Sequence, residues 1–225
     1  SIKWTELQPG VPNFFLVRKD FGGAKKYTLG FSIEELIPFK SSGVKTHDDE
    51  NLYDPQREFL TNKIKSKFKV FDDRLITKYC YRPFDAGYIY YDVQLLGRAR
   101  ERTIFHMKSP NVGIVLVQQP QAANLNFFDC LFISSTITDT NMFRRGGPSV
   151  FPLYLYPPLS SQTTIDQIKR TPNLNEAIVE QLEKQLDLFF VPEKEPAENV
   201  CMANDEAIRP EYRLTFAPID ILDYI

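Results

Sequence analysis

The sequence predicts a mixed α+β fold, in which a twisted, mostly antiparallel sheet is accompanied by two main helices. Eighteen Phe and eleven Tyr among 225 residues favour sheet, because aromatic rings fit a pleated, half-buried surface. Compact apolar runs separated by turn residues recur from about residue 79 to residue 157. Two longer segments, about 54–69 and 174–190, have apolar side chains at the helical spacing.

The predicted strands are short apolar or alternating runs. Pro83, Gly97, Pro110 and Pro120 stand between them as turn signals. An earlier run, residues 13–17, is a further candidate strand. In the sheet-rich part we expect strands at residues 88–91, 103–105, 112–117, 128–134 and 151–156.

The first predicted helix has a clear start and one apolar side. Asp54 is placed to be its N-cap and Pro55 to be its first helical residue. Leu60, Ile64 and Phe68 follow at intervals of four, so this side is expected to be buried.

The second predicted helix starts at Asn173, with Glu176 three residues later in a pattern similar to a capping box. Pro192 is expected to end it. The side chains expected on its buried side are Leu174, Ile178, Leu182, Leu186 and Phe189.

Composition indicates a globular protein. The chain is 43% hydrophobic and 25% charged, with a net charge of -2. The longest apolar runs are too short to span a bilayer, so we expect no membrane partner. The three cysteines, Cys80, Cys130 and Cys201, are too widely spaced for a disulfide framework or a zinc site. We therefore expect reduced thiols and a cytoplasmic location.

We expect the sequence to be an excised part of a larger protein. It begins at Ser1 rather than Met, and a helix pattern at residues 218–225, with Asp220 as its cap, runs to the last residue. We interpret residues 1–225 as one domain. A subdivision into a sheet-rich part, 1–160, and a helical acidic part, 161–225, is consistent with the pattern.

Charge is unevenly distributed. Residues 61–108 contain eleven basic and five acidic residues, a balance of +6. Residues 171–225 contain twelve acidic and four basic residues, a balance of −8. The basic stretch could face phosphates and the acidic stretch water or a basic partner, although charge runs are often only solvated surface.

No catalytic motif is present. The sequence lacks a Walker-type phosphate loop, a dinucleotide fingerprint, a G-x-S-x-G elbow and an H-E-x-x-H helix. His106 alternates with apolar neighbours and is interpreted as a structural histidine on a sheet. His47 and the three acids after it match no calcium loop. We therefore assign no catalytic and no metal-binding residue.

Two segments have side chains suited to binding phosphate. Gly43, followed by Lys45 and Thr46, lets a backbone approach a phosphate while the side chains bind its oxygens. In an extended segment, Arg98, Arg100 and Arg102 would form a row on one face. The alternative is that Asp85, Asp92 and Glu101 pair with these arginines and only hold the sheet together.

A resemblance emerges from the order of the motifs. They are G-V-K-T-x-x-D from residue 43, Y-R-P-F-D from 81, L-L-x-R-x-R from 95, N-x-G-I from 111 and P-L-Y-L-Y-P from 152. In this order, over about residues 3–225, the chain resembles the C-terminal specificity region of single-chain restriction-modification enzymes of the type ISP and type IIG kind. The candidate site residues selected with these motifs are Lys45, Thr46, Asp48, Arg82, Asp85, Arg98 and Arg100.

The resemblance implies a DNA-binding part of an adenine-specific DNA methyltransferase. Such an enzyme uses S-adenosylmethionine, needs magnesium for any nuclease part, and would carry its methyltransferase domain upstream of Ser1. No cofactor is expected in this segment, which would select the DNA sequence without catalysing a reaction.

The sequence departs from the family pattern in three places. Ala86 follows the F-D where a basic residue is usual, Ala99 replaces a frequent proline, and Gln118-Gln119 replace a frequent arginine. Motif residues shared by proteins that recognise many sequences could support the scaffold, so base recognition is expected in the other loops. The candidates that can pair with base edges are Gln118, Gln119, Asn124, Asn126, Asn141, Arg144 and Arg145.

Two hypotheses follow from the residues and the resemblance. The first is sequence-specific binding of double-stranded DNA, with the basic stretch supplying affinity and the polar loops supplying choice. The second is a docking module, in which the acidic stretch orients the catalytic domain of the same enzyme.

Overall fold

The computed structural model describes residues 28–117, 130–143, 147–158, 169–194 and 215–225. It confirms the mixed α+β fold. The α-helices are α1 (Ile33–Leu36), α2 (Asp49–Leu52), α3 (Arg57–Lys67), α4 (Glu101–Lys108), α5 (Glu176–Leu186) and α6 (Pro218–Tyr224), with a 3₁₀ turn at Asp73–Leu75.

Twelve short strands are present in these ranges, and most of their pairings are antiparallel. They are β1 (Ser41–Ser42), β2 (Tyr53–Asp54), β3 (Ile76–Arg82), β4 (Asp85–Tyr90), β5 (Gly113–Leu116), β6 (Leu131–Ser134), β7 (Ile137–Thr138), β8 (Ser149–Pro152), β9 (Tyr154–Leu155), β10 (Thr171–Pro172), β11 (Phe189–Phe190) and β12 (Thr215–Phe216).

Two four-stranded sheets form the framework. The first has the order β1-β8-β5-β6 and is antiparallel throughout. The second has the order β2-β4-β3-β7, with β7 parallel to β3. The pairs β9–β10 and β11–β12 are separate two-stranded units. The predicted strands at 88–91, 112–117 and 151–156 are therefore confirmed within a few residues.

Each sheet has its own apolar core. Leu60 and Ile64 of α3 are fully buried against Tyr79 and Ile89 of the second sheet, which confirms the predicted apolar side of this helix. In the first sheet, Phe151 packs in a cluster that includes residues from both ends of the described chain. The members of that cluster are Leu36, Ile37, Ile114, Phe151, Leu153, Tyr154 and Leu222. The division of the chain near residue 160 stays a prediction.

The predicted cap of the first helix is wrong. The helix begins at Arg57 with Gln56 as its N-cap, and Asp54 belongs to β2. The Asp54 carboxylate accepts a hydrogen bond from the Gln56 N–H at 2.8 Å and pairs with Lys63 at 2.7 Å. An acid before a helix can thus satisfy a turn instead of the helix end, because both offer unpaired N–H groups.

The second helix begins two residues later than the sequence predicts. Asn175 is the N-cap, and its side chain accepts from the Ala177 N–H at 3.0 Å. The Asn173 side chain is buried and binds the backbone of Phe39 and Pro152 instead. The helix ends at Leu186, well before Pro192, and Asp187 has φ +55°.

The expected buried side of this helix is also incomplete. Val179 is its one buried residue, whereas Leu186 and, in β11, Phe189 are exposed. Ile178 packs against the core around Phe151 and is partly buried. The apolar spacing correctly indicated a helix but overestimated how much of it is covered.

Two further expectations are corrected. Residues 103–105 are not a strand, because Thr103, Ile104 and Met107 lie on the buried side of helix α4, at spacings of three and four. The final helix begins at Pro218 with Ala217 as its N-cap. Asp220 supports this start from inside the helix by accepting from the Ala217 N–H at 2.8 Å.

Candidate nucleic-acid interface

The segment that contains Lys45 extends the second sheet beyond β7. Val44 forms a parallel bridge with Asp139, and Lys45 forms an antiparallel bridge with Arg98. The N–H of Lys45 donates to the Arg98 carbonyl at 3.1 Å, and the N–H of Arg98 donates to the Lys45 carbonyl at 2.9 Å. Motif residues separated in sequence are therefore adjacent at one edge of this sheet.

Gly43 has a structural role. A side-chain carbon at this position would lie 2.6 Å from the Thr138 carbonyl oxygen and 2.7 Å from that of Asp139. The missing side chain lets two protein backbones approach each other, so the space beside Gly43 is already occupied by protein. The sequence had suggested a phosphate for this space.

Thr46 is buried, and its hydroxyl donates to the Asp49 carboxylate. The other carboxylate oxygen of Asp49 accepts from the Tyr81 hydroxyl at 2.7 Å. The acid that closes the G-V-K-T-x-x-D motif is thus Asp49, whereas Asp48, the predicted site residue, accepts from the Asn51 side chain at 2.5 Å. Asp49 therefore connects the segment around Lys45 to strand β3.

Arg82 is bound to a buried carboxylate. Its Nη1 donates to Asp139 Oδ1 at 2.9 Å, and its guanidinium lies 3.7 Å from the centre of the Tyr81 ring. The Tyr79 hydroxyl donates to Asp139 Oδ2 at 2.6 Å, and the Asn141 N–H donates to Asp139 Oδ1 at 2.6 Å. Every oxygen of this carboxylate thus has a protein partner.

Burial dominates the electrostatics of this group. Desolvation raises the pKa of Asp139 above its usual range, although Tyr79, Asn141 and Arg82 all favour the ionised form. Desolvation and the Asp139 charge raise the pKa of Tyr79, so its hydroxyl remains a donor. The arrangement is that of a satisfied polar network inside a scaffold.

Asp85 begins β4, directly after the turn of the β3–β4 hairpin, and is held by a residue of β2. The Tyr53 hydroxyl donates to Asp85 Oδ1 at 2.9 Å. The Tyr53 ring stacks on the Tyr81 ring, with centroids 4.4 Å apart. Arg82 and Asp85, both predicted site residues, are therefore engaged with the protein and fix the ends of β3 and β4.

Three of the predicted phosphate-binding cations contrast with this buried network. Arg98 and Arg102 are exposed and Lys45 is half-buried, and none of the three side chains has a hydrogen-bond or ion-pair partner among the described residues. Arg100 is also exposed, and its Nε donates to the Ser42 hydroxyl at 2.9 Å. Lys45 and Arg98 lie directly opposite each other, where like charges repel.

The predicted row of three arginines does not exist. Arg98 is in an extended bridge, Arg100 has the left-handed φ of +55°, and Arg102 is in helix α4. The period-two spacing of an extended strand therefore does not apply to them. The structure brings Lys45 together with Arg98 instead, and these residues are 53 positions apart in sequence, a separation that no local pattern could bridge.

Most of the base-reading candidates lie outside the described residues. Asn141 is described, and it is in the turn directly after Asp139. Those outside are Gln118, Gln119, Asn124, Asn126, Arg144 and Arg145.

Sequence reasoning missed the partners of the motif side chains. Tyr53, Tyr79 and Asp139 complete the networks around Arg82 and Asp85, yet none carried a signal. Their partners lie 32 to 60 positions away along the chain, beyond the reach of local spacing. Phe84, between the two motif residues, is the most exposed large hydrophobic side chain in the described ranges and was also missed.

His106 lies on helix α4 and not on the predicted strand. Its Nδ1 accepts from the Tyr156 N–H at 2.9 Å, and burial lowers its pKa. Within the described ranges, no cluster of three or more His, Cys, Asp or Glu is arranged to hold a metal ion. No helix in the described parts of the chain is long and apolar enough to cross a membrane.

No curated protein matches this chain. Similar solved structures include the ATP-dependent type ISP restriction-modification enzyme LlaBIII bound to DNA, at 17% identity and a TM-score of 0.55, covering 65% of this chain and 12% of that one. A nuclease-deletion mutant of the type ISP enzyme LlaGI, in complex with a DNA substrate mimic, matches at 16% identity and a TM-score of 0.54. The match covers 77% of this chain and 17% of that one.

A DrdV–DNA complex matches at 15% identity and a TM-score of 0.52, covering 68% of this chain and 18% of that one. At these identities the likeness shows a shared fold, and the chain spans less than a fifth of the length of each of these proteins. The family model of the type ISP C-terminal specificity domain matches residues 60–225, well over half of the sequence, and the chain therefore belongs to that family.

Proposed function

We propose that this chain binds double-stranded DNA sequence-specifically, as the target-recognition part of a restriction-modification enzyme. The observation that carries the proposal is the pair formed by Lys45 and Arg98. The two cations are opposite each other, and neither has an anionic partner among the described residues. An arrangement that is unfavourable in the free protein becomes favourable when a phosphate lies between the two side chains.

The division of roles among the motif residues supports the same proposal. Arg82, Asp85 and Thr46 hold the hairpin and the segment around Lys45 in place. The half-buried Lys45 and the exposed Arg98 are therefore presented by a firmly connected scaffold. Phosphate contacts from such residues set the register on the duplex, while loops select the sequence.

The larger protein is proposed on the family relationship. We propose that it methylates adenine using S-adenosylmethionine bound outside this chain, with magnesium needed for any nuclease part. The chain itself would be non-catalytic and would pack against the methyltransferase domain. The structures of LlaBIII and LlaGI were determined with DNA or a DNA mimic, which agrees with a DNA-facing role for this fold.

Fluorescence anisotropy with a labelled duplex tests the proposal. The chain, and separately the full product of its gene, would be titrated at about 50 and 200 mM salt. Affinity should fall by at least an order of magnitude at the higher salt, because phosphate contacts release counterions. Selection from a randomised duplex pool should then enrich one sequence. The proposal fails if neither protein shows salt-dependent binding.

Helix α5 favours a second candidate function, in which the chain docks against the catalytic part of the same enzyme. Leu186 of this helix and Phe189 of the following strand β11 are exposed apolar residues. Glu180 is an exposed acid on the same helix. Glu180→Lys should weaken assembly with the catalytic part and leave DNA affinity of the chain unchanged or improved. Glu183 is unsuitable for this test, because its carboxylate accepts from the Phe190 N–H at 2.7 Å.

A further inference from the structure

Phe84 occupies a strained position at the end of the β3–β4 hairpin. Strand β3 ends at Arg82 and β4 begins at Asp85, so Pro83 and Phe84 are the two central residues of the turn. Phe84 has φ +64°. A turn with proline at its first central position and a positive φ at the second normally has Gly or Asn there. The turn alone therefore disfavours Phe84.

Packing in the protein does not explain this residue either. Phe84 is 94% exposed, and among the described residues its one ring contact is with Phe132, edge-on at 5.3 Å. An aromatic ring normally stabilises a fold through the area that it buries, and here that area is small. A strained and exposed aromatic residue is a reason to look for a binding role.

The two residues that flank the turn are held by side-chain contacts, whereas Phe84 within the turn is exposed. Arg82 is fixed by Asp139 and by the Tyr81 ring, and the Cys80 thiol donates to the Arg82 carbonyl at 3.4 Å. Asp85 is fixed by Tyr53. The Phe84 ring is thus carried on a turn whose two ends are both anchored.

We propose that Phe84 is a wedge that enters the base stack of bound duplex DNA and stacks on a nucleobase there. The inference rests on the proposed function and adds to it the residue that inserts into the base stack of the duplex. Apolar side chains inserted between bases are a recurrent device of DNA-binding proteins, and a ring stacks on any base because every base has a π-face. An enzyme that modifies adenine within a duplex must also separate that base from its neighbours.

The local surface favours DNA over a protein as the partner of Phe84. A stable protein interface needs about 800 Å² from each partner, which one projecting ring cannot supply. The two residues that flank Phe132 in β6, Leu131 and Ile133, are exposed and alternate with it along the strand. They therefore lie on the face of that strand opposite the ring that Phe84 meets.

A duplex with one central abasic site tests the wedge without knowledge of the target sequence. The gap gives a ring a place to stack, whereas an intact duplex must first be unstacked. The chain and the full gene product should each bind the abasic duplex about fivefold more tightly than the intact one, or more. Phe84→Ala should abolish this preference and keep the salt dependence. Phe84→Trp should retain the preference, with its added indole fluorescence quenched on binding.

The matched control is Phe59→Ala, which removes another exposed phenylalanine, from helix α3. It should keep the preference for the abasic duplex, and thermal unfolding would check that all variants are folded. Equal preference in the wild type and in Phe84→Ala overturns the wedge while leaving DNA binding established. A Phe84→Ala variant that binds both duplexes normally but assembles poorly with the rest of the gene product assigns the ring to a protein contact instead. Absence of salt-dependent binding to either duplex overturns both proposals.

Discussion

Arg82 Nη1 lies 2.9 Å from Asp139 Oδ1, and this contact joins the end of β3 to a residue 57 positions away in sequence. Asp139 is 4% exposed and Arg82 is 34% exposed, so the carboxylate is buried while the guanidinium reaches the surface. The same carboxylate accepts from Tyr79. The contact therefore connects the turn end of the β3–β4 hairpin to the segment that follows β7.

Arg82→Ala should lower the free energy of unfolding by about 2 kcal/mol, because it leaves a buried carboxylate without its cation. Partial exposure of Arg82 moderates the loss, since water can reach the vacated side. Urea denaturation monitored by circular dichroism measures it. Arg74→Ala is the control, because the pair of Arg74 with Asp72 is at the surface and its removal should cause no measurable change.

The second substitution Asp139→Asn should restore part of the loss in the Arg82→Ala background. The neutral amide leaves no buried charge. Its oxygen can still accept from the Asn141 N–H, and its NH2 group can donate to the Tyr79 hydroxyl oxygen once that hydroxyl turns. Additive losses in the double variant would show that Arg82 does not act through Asp139.

Stability should fall in mild acid because of His106. Burial lowers the pKa of His106, and its Nδ1 must be unprotonated to accept from the Tyr156 N–H. The unfolded chain therefore binds this proton more readily than the folded one. The contribution of neutral His106 is complete above the unfolded pKa of about 6.5 and is lost as the pH falls through that value towards the lower folded pKa.

His106→Asn should flatten this dependence, because the amide oxygen can accept the same hydrogen bond without titrating. Between about pH 7 and pH 5, the wild type should lose up to about 1 kcal/mol more than the variant. Unfolding free energies at a series of pH values provide the measurement. His47→Asn, which changes the exposed histidine, should keep the wild-type dependence. The prediction is wrong if both variants follow the wild type.

The parts of the fold that were predicted correctly depend on local patterns. Leu60 and Ile64 are four residues apart, and this spacing indicated a buried side of α3 whatever surrounds it. The apolar run that includes β5 was similarly recognisable as a central strand. Short apolar runs are ambiguous, and this is why residues 103–105 were expected to be a strand. Only the wider spacing from Thr103 to Met107 distinguishes the helix.

The candidate site was only partly predictable for a different reason. The order of the motifs identified the family and selected Arg82, Asp85 and Arg98. Their roles depend on partners such as Asp139 and Tyr53, which reach them through sheet pairing and not through proximity in sequence. Two residues alike in charge thus have different environments, because Arg82 is paired with a buried carboxylate and Arg98 is exposed.

Phe84→Gly should stabilise the protein although it deletes an aromatic ring. Glycine adopts the positive φ of residue 84 without a steric penalty, and the ring that is lost is almost fully exposed. The unfolding free energy should rise by about 1 kcal/mol. The same substitution in helix α3, Phe59→Gly, should lower it by about 1 kcal/mol, since glycine is unfavourable inside a helix. Changes of the same sign at both positions would show that residue 84 is not strained.

Lys45→Ala and Arg98→Ala should each reduce the salt dependence of duplex binding. If each cation contacts one phosphate, the slope of log affinity against log salt should become shallower by about 1 for each substitution. Neither variant should be less stable than the wild type, because each removes one member of a like-charged pair. Lys184→Ala, on helix α5, is the matched control and should leave the slope unchanged. A variant that loses affinity with an unaltered slope would place that side chain in the scaffold together with Arg82, and would leave the phosphate contacts to other cations of the chain.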